Sequence, residues 1–137
     1  MGKPKHRKLS RRQTRDLDIQ IGFLEGLVRR DPLYADALEQ LADAYLDRGR
    51  VVDGLQIDRR LASLQPADPQ VRYNLACSLS LAGQMETAAQ ELEYALDLGF
   101  RDFQWLNEDP DLADLRDQPA FRRVRAKIHS LANNLAK

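Results

Sequence analysis

The sequence has few of the features that would place a protein in a membrane or outside the cell. Its single cysteine, Cys77, excludes an internal disulfide and fits a reducing compartment. No apolar run approaches the ~20 residues that a helix needs to cross a bilayer. The basic amino-terminal stretch leads into no apolar segment, so it lacks the pattern of a secretory signal. Seven Gly and six Pro in 137 residues are too few for a mainly disordered chain. We therefore expect a soluble, cytoplasmic protein.

Sequence patterns of catalysis and metal binding are missing as well. Neither a GxxxxGKS or GxxxxGKT loop nor a GxGxxG loop is present to hold phosphates. The two histidines, His6 and His129, are far apart and have no ligand-like spacing. The acidic stretch 107–111 lacks the spacing of a calcium loop, which favours a simple turn. We expect no enzymatic activity, no metal and no cofactor.

The net charge of zero conceals a basic amino terminus. Of the 21 Lys and Arg residues, seven lie in residues 1–15, which contain no acid, so 14 basic residues face 21 acidic ones from residue 16 onward. Such an arm could bind a phosphate backbone, fold onto acidic residues of the same protein, or remain a flexible, solvated tail. We expect residues 1–15 to form a basic, flexible tail ahead of the domain that starts at residue 16. The basic tail comprises Lys3, Lys5, Arg7, Lys8, Arg11, Arg12 and Arg15.

A short sequence pattern recurs with a 34-residue period in the rest of the chain. Residues 41–49 read LADAYLDRG, and residues 75–83 read LACSLSLAG. A fixed period of this length is typical of stacked structural repeats. It divides the chain into a half-repeat (16–33), two full repeats (35–68 and 69–102) and a different carboxyl-terminal segment (103–137).

Each full repeat predicts two helices. In the first repeat, apolar residues recur at three- and four-residue intervals along Leu38, Leu41 and Tyr45, which lines one helix face. Gly49 is placed to end that helix, and Pro66 stops the second one. The pair Asp68-Pro69 then provides a cap and a first helical residue for the next repeat.

The second repeat carries the residues of a known family. Leu75-Ala76, Gly83, Ala88 and Ala95 resemble the tetratricopeptide repeat (TPR), a 34-residue helix–turn–helix. In the first repeat, Gly54 stands where the family prefers Ala, and Asp58 where it prefers a large apolar residue. The resemblance implies an all-α solenoid of about seven helices, in which the first helix of each pair lines a concave groove that binds peptides.

The segment after residue 100 is similar to the end of short bacterial TPR arrays. It holds aromatic residues, then the stretch DPDLADLRDQPAF, then a last helix with apolar residues at helical spacing. Repeat stacks need an atypical terminal unit that covers their open end. We therefore expect a carboxyl-terminal cap over residues 103–137, with Leu112 and Leu115 fixing its loop and Phe121, Val124 and Ile128 on its last helix.

The predicted groove carries four acids on one helix face. At 100° per residue, they lie within a sector of about 80°, opposite Leu41, Ala42 and Tyr45. We call this set the acidic face: Asp36, Glu39, Asp43 and Asp47. On the first helix of the next repeat, four less polar residues, at or close to the equivalent positions, are expected to line the groove beside the acidic face: Tyr73, Asn74, Cys77 and Leu81.

Two interpretations of the acidic face remain open. It could be an ordinary solvated helix surface, or it could bind a basic segment that carries one apolar side chain. The sequence as a whole predicts a protein-interaction adaptor that holds a peptide or partner segment in its groove. The alternative is a nucleic-acid- or ribosome-associated protein that binds through its basic tail.

Overall fold

A computed structural model describes residues 8–136, and all regular structure in this range is helical, which confirms the all-α class. The elements are α1 (Arg11–Arg30), α2 (Ala35–Asp47), α3 (Val51–Leu64), α4 (Pro69–Leu81), α5 (Met85–Asp97), α6 (Phe103–Glu108), a 3-10 helix (Pro110–Leu112), α7 (Ala113–Arg116) and α8 (Phe121–Ala136). No helix within residues 8–136 is both long enough and apolar enough to span a bilayer.

Helix α1 begins within the predicted basic tail. The side chain of Ser10 accepts a hydrogen bond from the backbone N–H of Gln13 at 3.1 Å, and the Gln13 side chain accepts one from the N–H of Ser10 at 2.9 Å. This reciprocal capping box starts the helix at Arg11. The prediction of a flexible tail up to residue 15 is therefore wrong for residues 11–15. Lys3, Lys5 and Arg7 lie outside the described residues.

Helices α2 to α5 begin and end where the repeat predicts. Gly49 and Gly83 occupy the same position after α2 and α4, with φ of 83° and 81°. Glycine adopts this left-handed conformation at little cost. The Asp68 side chain accepts hydrogen bonds from the N–H groups of Gln70 and Val71, at 2.9 and 3.3 Å, as expected of a helix cap.

The helices pack mainly in chain order. Each of α1 to α4 contacts the helix that follows it, and α5 also packs against α8. One continuous apolar core runs from Ile21 and Leu24 in α1 to Val124 and Ile128 in α8. Helices that bury their apolar faces against chain neighbours in this way stabilise one another, because no single hairpin can bury its own apolar face.

Two residues of the first repeat that depart from the TPR pattern contact neighbouring helices. A Cβ atom added to Gly54 would lie 2.8 Å from Cδ2 of Leu46, so the glycine allows α3 to approach α2 closely. Asp58 is buried and accepts a short hydrogen bond from the hydroxyl of Ser78 in α4. Each of these residues thus has a specific neighbour on an adjacent helix.

The cap contains more helical structure than the sequence predicts. Helices α6 and α7 and the 3-10 helix occupy the stretch expected to hold one helical turn and a loop, so eight α-helices stand in the described range instead of about seven. Leu112, Leu115 and Phe121 are almost fully buried, as expected. Helix α8 is also tied to α5 by an ion pair of 2.7 Å between Lys127 and Asp97.

Candidate functional site

The acidic face is exposed along one side of α2. All four of its carboxylate residues are exposed, and α2 contains no Lys, Arg or His. The opposite side of the helix is buried through Leu38, Leu41 and Ala42. The structure therefore places the acidic face on the protein surface, as the helical spacing predicts.

The basic residues that follow α2 pair with other helices. The Arg48 guanidinium forms an ion pair of 2.8 Å with Asp18 in α1. Arg50 forms an ion pair of 2.8 Å with Asp53 in α3, and its guanidinium lies 4.5 Å from the centre of the Tyr45 ring. Both cations thus have carboxylate partners outside the acidic face.

A buried tyrosine fixes α2 against α1. The hydroxyl of Tyr45 donates a hydrogen bond of 2.6 Å to the Glu25 carboxylate. Burial, followed by this bond and the negative charge of Glu25, raises the pKa of the Tyr45 phenol to about 12. The phenol therefore stays protonated at neutral pH and holds the helix that presents the acidic face.

The neighbouring side of the predicted groove is not open. Tyr73 and Cys77 are each only 2% exposed, so the prediction that they line an accessible surface is wrong. The ring of Tyr73 stacks on Phe100, with centres 4.3 Å apart and planes 4° from parallel. The 3-10 helix of the cap packs against α4 and removes this part of the helix from solvent.

The cap is fastened to α4 by a buried carboxylate. Asp109 accepts hydrogen bonds from the Tyr73 hydroxyl at 2.7 Å, from the Cys77 thiol at 3.6 Å and from the N–H of Asp111 at 3.0 Å. Arg116 donates to the carbonyls of Leu106 and Asp109, at 3.0 and 2.8 Å. Burial is the main cause that raises the pKa of the Tyr73 phenol, followed by the neighbouring Cys77 and Asp109.

This cluster also brings three metal-ligating side chains together. One ligand atom each from Cys77, Asp109 and Asp111 lies within 4.8 Å of the others, and all three residues are buried. The Asp109 oxygens already accept the three hydrogen bonds described above. The cluster thus forms part of the packing between α4 and the cap.

The remaining predicted groove residues are partly covered. Asn74 and Leu81 are half-buried, and the side-chain oxygen of Asn74 accepts a hydrogen bond of 2.9 Å from Gln70. Of the basic tail, Lys8, Arg11, Arg12 and Arg15 are exposed. Of the predicted groove residues, those of the acidic face are thus exposed, whereas those on α4 are buried or half-buried.

Comparison with known proteins gives no family. No family model matches the chain. Over 123 residues, which are 89% of this chain, it is 32% identical to the light-independent protochlorophyllide reductase subunit N of Rhodopseudomonas palustris (strain BisA53). Over 49 residues, which are 36% of this chain, it is 41% identical to a chloroplastic protein of Arabidopsis thaliana. The chain spans only 26% and 15% of the length of these relatives. The resemblance to TPR proteins stays a prediction.

Proposed function

We propose that this protein is an interaction adaptor that binds a basic segment of a partner protein on the acidic face of α2. The observation that carries the proposal is the exposure of four carboxylates on one side of a helix without basic residues, followed by arginines that pair with other helices. The like charges at i and i+4 along this face destabilise an isolated helix by ~0.2–0.5 kcal/mol per pair.

We further infer that α1 to α5 form a TPR-like array closed by the cap. This inference is supported by the 34-residue repeat, by the left-handed glycines at equivalent positions, and by the packing of each helix on the next. In such an array α2 would be the first helix of a repeat and would present the acidic face to the concave side. The cap residues on α4 would then restrict binding to the amino-terminal half of that side.

The length of the acidic face defines a suitable ligand. Asp36 and Asp47 are eleven residues apart, which is about 16 Å along a helix. An extended peptide, at about 3.3 Å per residue, covers this distance with about five residues. A probe of about eight residues with four Lys or Arg and one Leu therefore has enough charge and reach to occupy the site.

Titration of the isotopically labelled protein with this probe, followed by backbone NMR, tests where it binds. We expect saturable shifts of amide signals in α2, with small changes in α5 and α8. Shifts confined to α1 or the cap, or no saturable shift at all, would contradict the proposed site. A parallel titration with a labelled oligonucleotide tests the nucleic-acid alternative, which requires the basic amino terminus and not α2.

A further inference from the structure

Helix α1 carries an apolar surface that no described part of the chain covers. Ile19 is 67% exposed and Phe23 is 64% exposed, and Leu27, one turn further on, is partly buried. These three residues follow one another at four-residue spacing, which places them along one side of the helix. We call them the open strip. The opposite side of α1 is buried through Ile21, Leu24 and Val28.

The repeat indicates what kind of element the open strip would accept. Phe23 and Leu27 stand one repeat period before Ile57 and Leu61 of α3, and both residues of α3 are buried. In α3, Gly54 faces Leu46 of α2. Leu61 and Ile57 lie about 20° and 60° from Gly54 around the helix axis.

The other flank of α3 faces the following helix, because Asp58 contacts Ser78 of α4. The equivalents of Phe23 and Leu27 are thus positions that α3 turns towards the helix preceding it, whereas the equivalent of Ile19 is the half-buried Asp53, which pairs with Arg50. Within residues 8–136, no helix precedes α1. The open strip is therefore a surface on which one helix can pack, either parallel or antiparallel to α1.

Positive charge lies at both ends of the strip. Arg12 and Arg15 lie on its amino-terminal side together with one exposed acid, Asp16, and Arg29 and Arg30 lie on its carboxyl-terminal side. All four arginines are exposed, and none forms an ion pair with a carboxylate in the part of the chain that the structure describes. Arg11 and Arg12 stand in the first turn of α1, which contains no acid, although the helix dipole disfavours cations there.

These charges exclude two occupants. A second copy of α1, whether parallel or antiparallel, would bring arginines against arginines at both ends. Residues 1–7 carry Lys3, Lys5 and Arg7 and no acid, so they would meet like charge as well. The fitting occupant has carboxylates at its ends.

We propose that α1 docks one amphipathic helix of a partner protein, with apolar side chains against the open strip and carboxylates facing the arginine pairs at the two ends. Arg12 and Arg30 are 18 residues apart, so the docked helix spans about 27 Å, or about five turns. A concavity of about 500 Å³ beside Ile19, also lined by Leu9, Arg11, Thr14, Arg15 and Asp18, can receive a side chain at the amino-terminal end. This surface is separate from the acidic face. It favours an acidic ligand, whereas the acidic face favours a basic one.

A designed helical peptide tests the proposal with the full chain. The probe has about 18 residues, Leu at i, i+4 and i+8, an Ala and Gln background, and two Glu at each end. We expect saturable binding by calorimetry. The double variant Ile19→Gln, Phe23→Gln is expected to weaken it at least tenfold, without loss of helicity, because both side chains are mostly exposed. The matched variant Leu33→Gln, Val52→Gln, which changes side chains that are 70% and 67% exposed elsewhere, is expected to bind like the wild type.

The remaining outcomes also decide the question. A probe with Lys in place of Glu should bind at least tenfold more weakly, and equal binding of the two probes would overturn the charge argument. No binding at about 1 mM probe, a concentration that detects even weak contacts, would overturn the docking surface. A wild-type dimer that the double variant converts to a monomer in analytical ultracentrifugation would assign the strip to self-association instead. Neutralising the acidic face must leave this binding intact, so the two proposals can fail separately.

Discussion

The backbone of Gly54 in α3 lies directly against the side chain of Leu46 in α2, where an added Cβ would come within 2.8 Å of Cδ2. At the equivalent positions of the next repeat, the pair is Ala88 and Ser80, both buried. One repeat combines a large residue with glycine, and the next combines two small residues. Between the two helices of the hairpin, one large side chain thus stands in the first repeat where two small side chains stand in the second.

This relationship predicts the effect of replacing Gly54 by alanine, the residue that stands at the equivalent position 88. Alanine is a better helix former than glycine by about 1 kcal/mol, but overpacking a buried contact costs ~1–3 kcal/mol. We expect Gly54→Ala to lower the free energy of unfolding by about 1 kcal/mol, measured by urea denaturation. In a Leu46→Ala background, the same change should be neutral or stabilising, since the space is then available. A gain of stability in the wild-type background would contradict the close contact.

A second prediction concerns the fastening of the cap. Tyr73→Phe removes the hydroxyl that donates to the buried Asp109 carboxylate at 2.7 Å. The Cys77 thiol, at 3.6 Å, is then the remaining donor to this oxygen, and the loss of a hydrogen bond to a buried charged acceptor costs ~1–3 kcal/mol, which urea denaturation should detect. Tyr94→Phe is the control, because Tyr94 is 42% exposed and should change stability by less than ~0.5 kcal/mol. Equal effects of the two substitutions would show that the cap does not depend on this bond.

A third prediction follows from the raised pKa values of Tyr45 and Tyr73. In the unfolded chain a tyrosine loses its proton near pH 10, whereas Tyr45 in the folded protein keeps it until about pH 12. Above about pH 10 the unfolded state therefore gains stability relative to the folded state. Folding stability should be fully present below about pH 10 and should fall by up to ~1.4 kcal/mol per pH unit for each such tyrosine.

Denaturation at a series of pH values between 8 and about 11.5 measures this decline. The double variant Tyr45→Phe, Tyr73→Phe should show a shallower fall in the free energy of unfolding above about pH 10. The free energy of unfolding of the double variant will already be lower at the start of the pH series. The quantity to compare is therefore its change per pH unit. Identical slopes for the variant and the wild type would contradict the assigned pKa directions.

The repeat and the acidic face can be predicted from the sequence because both depend on local spacing. Helical periodicity alone places Asp36 and Glu39 opposite Leu41. Gly49 ends α2 through its own left-handed backbone conformation, which is also a local property. The start of α1 also has a local signal, since Ser10 and Gln13 have capping-box spacing. The prediction of a tail up to residue 15 is wrong because it gives the basic composition more weight than this signal.

The covered part of the groove cannot be predicted in the same way. Tyr73 and Cys77 stand on α4 where Glu39 and Asp43 stand on α2, so their own helix gives them an outward direction. They are buried by parts of the chain that are distant in sequence, namely residues 109–112, which return onto α4, and Phe100, which stacks on Tyr73. The replacement of two acids by Tyr and Cys at equivalent positions is the available sign that this part of the face has a different environment.

The most direct test of the proposed function compares the affinity of the labelled basic probe for three proteins by fluorescence anisotropy. The first is the wild type, and the second neutralises the acidic face with Asp36→Asn, Glu39→Gln, Asp43→Asn and Asp47→Asn. The third neutralises four exposed acids elsewhere, with Glu86→Gln, Glu108→Gln, Asp114→Asn and Asp117→Asn. Both variants change the net charge equally, and neither should unfold, since all eight substituted residues are exposed.

Exposed ion pairs contribute ~0.2–1 kcal/mol each, so losing four should weaken binding by about fourfold or more. We predict this loss for the acidic-face variant and close to wild-type affinity for the third protein, with the difference shrinking above about 0.15 M salt. Equal affinity of both variants, whether reduced or unchanged, would contradict a binding site on the acidic face of α2.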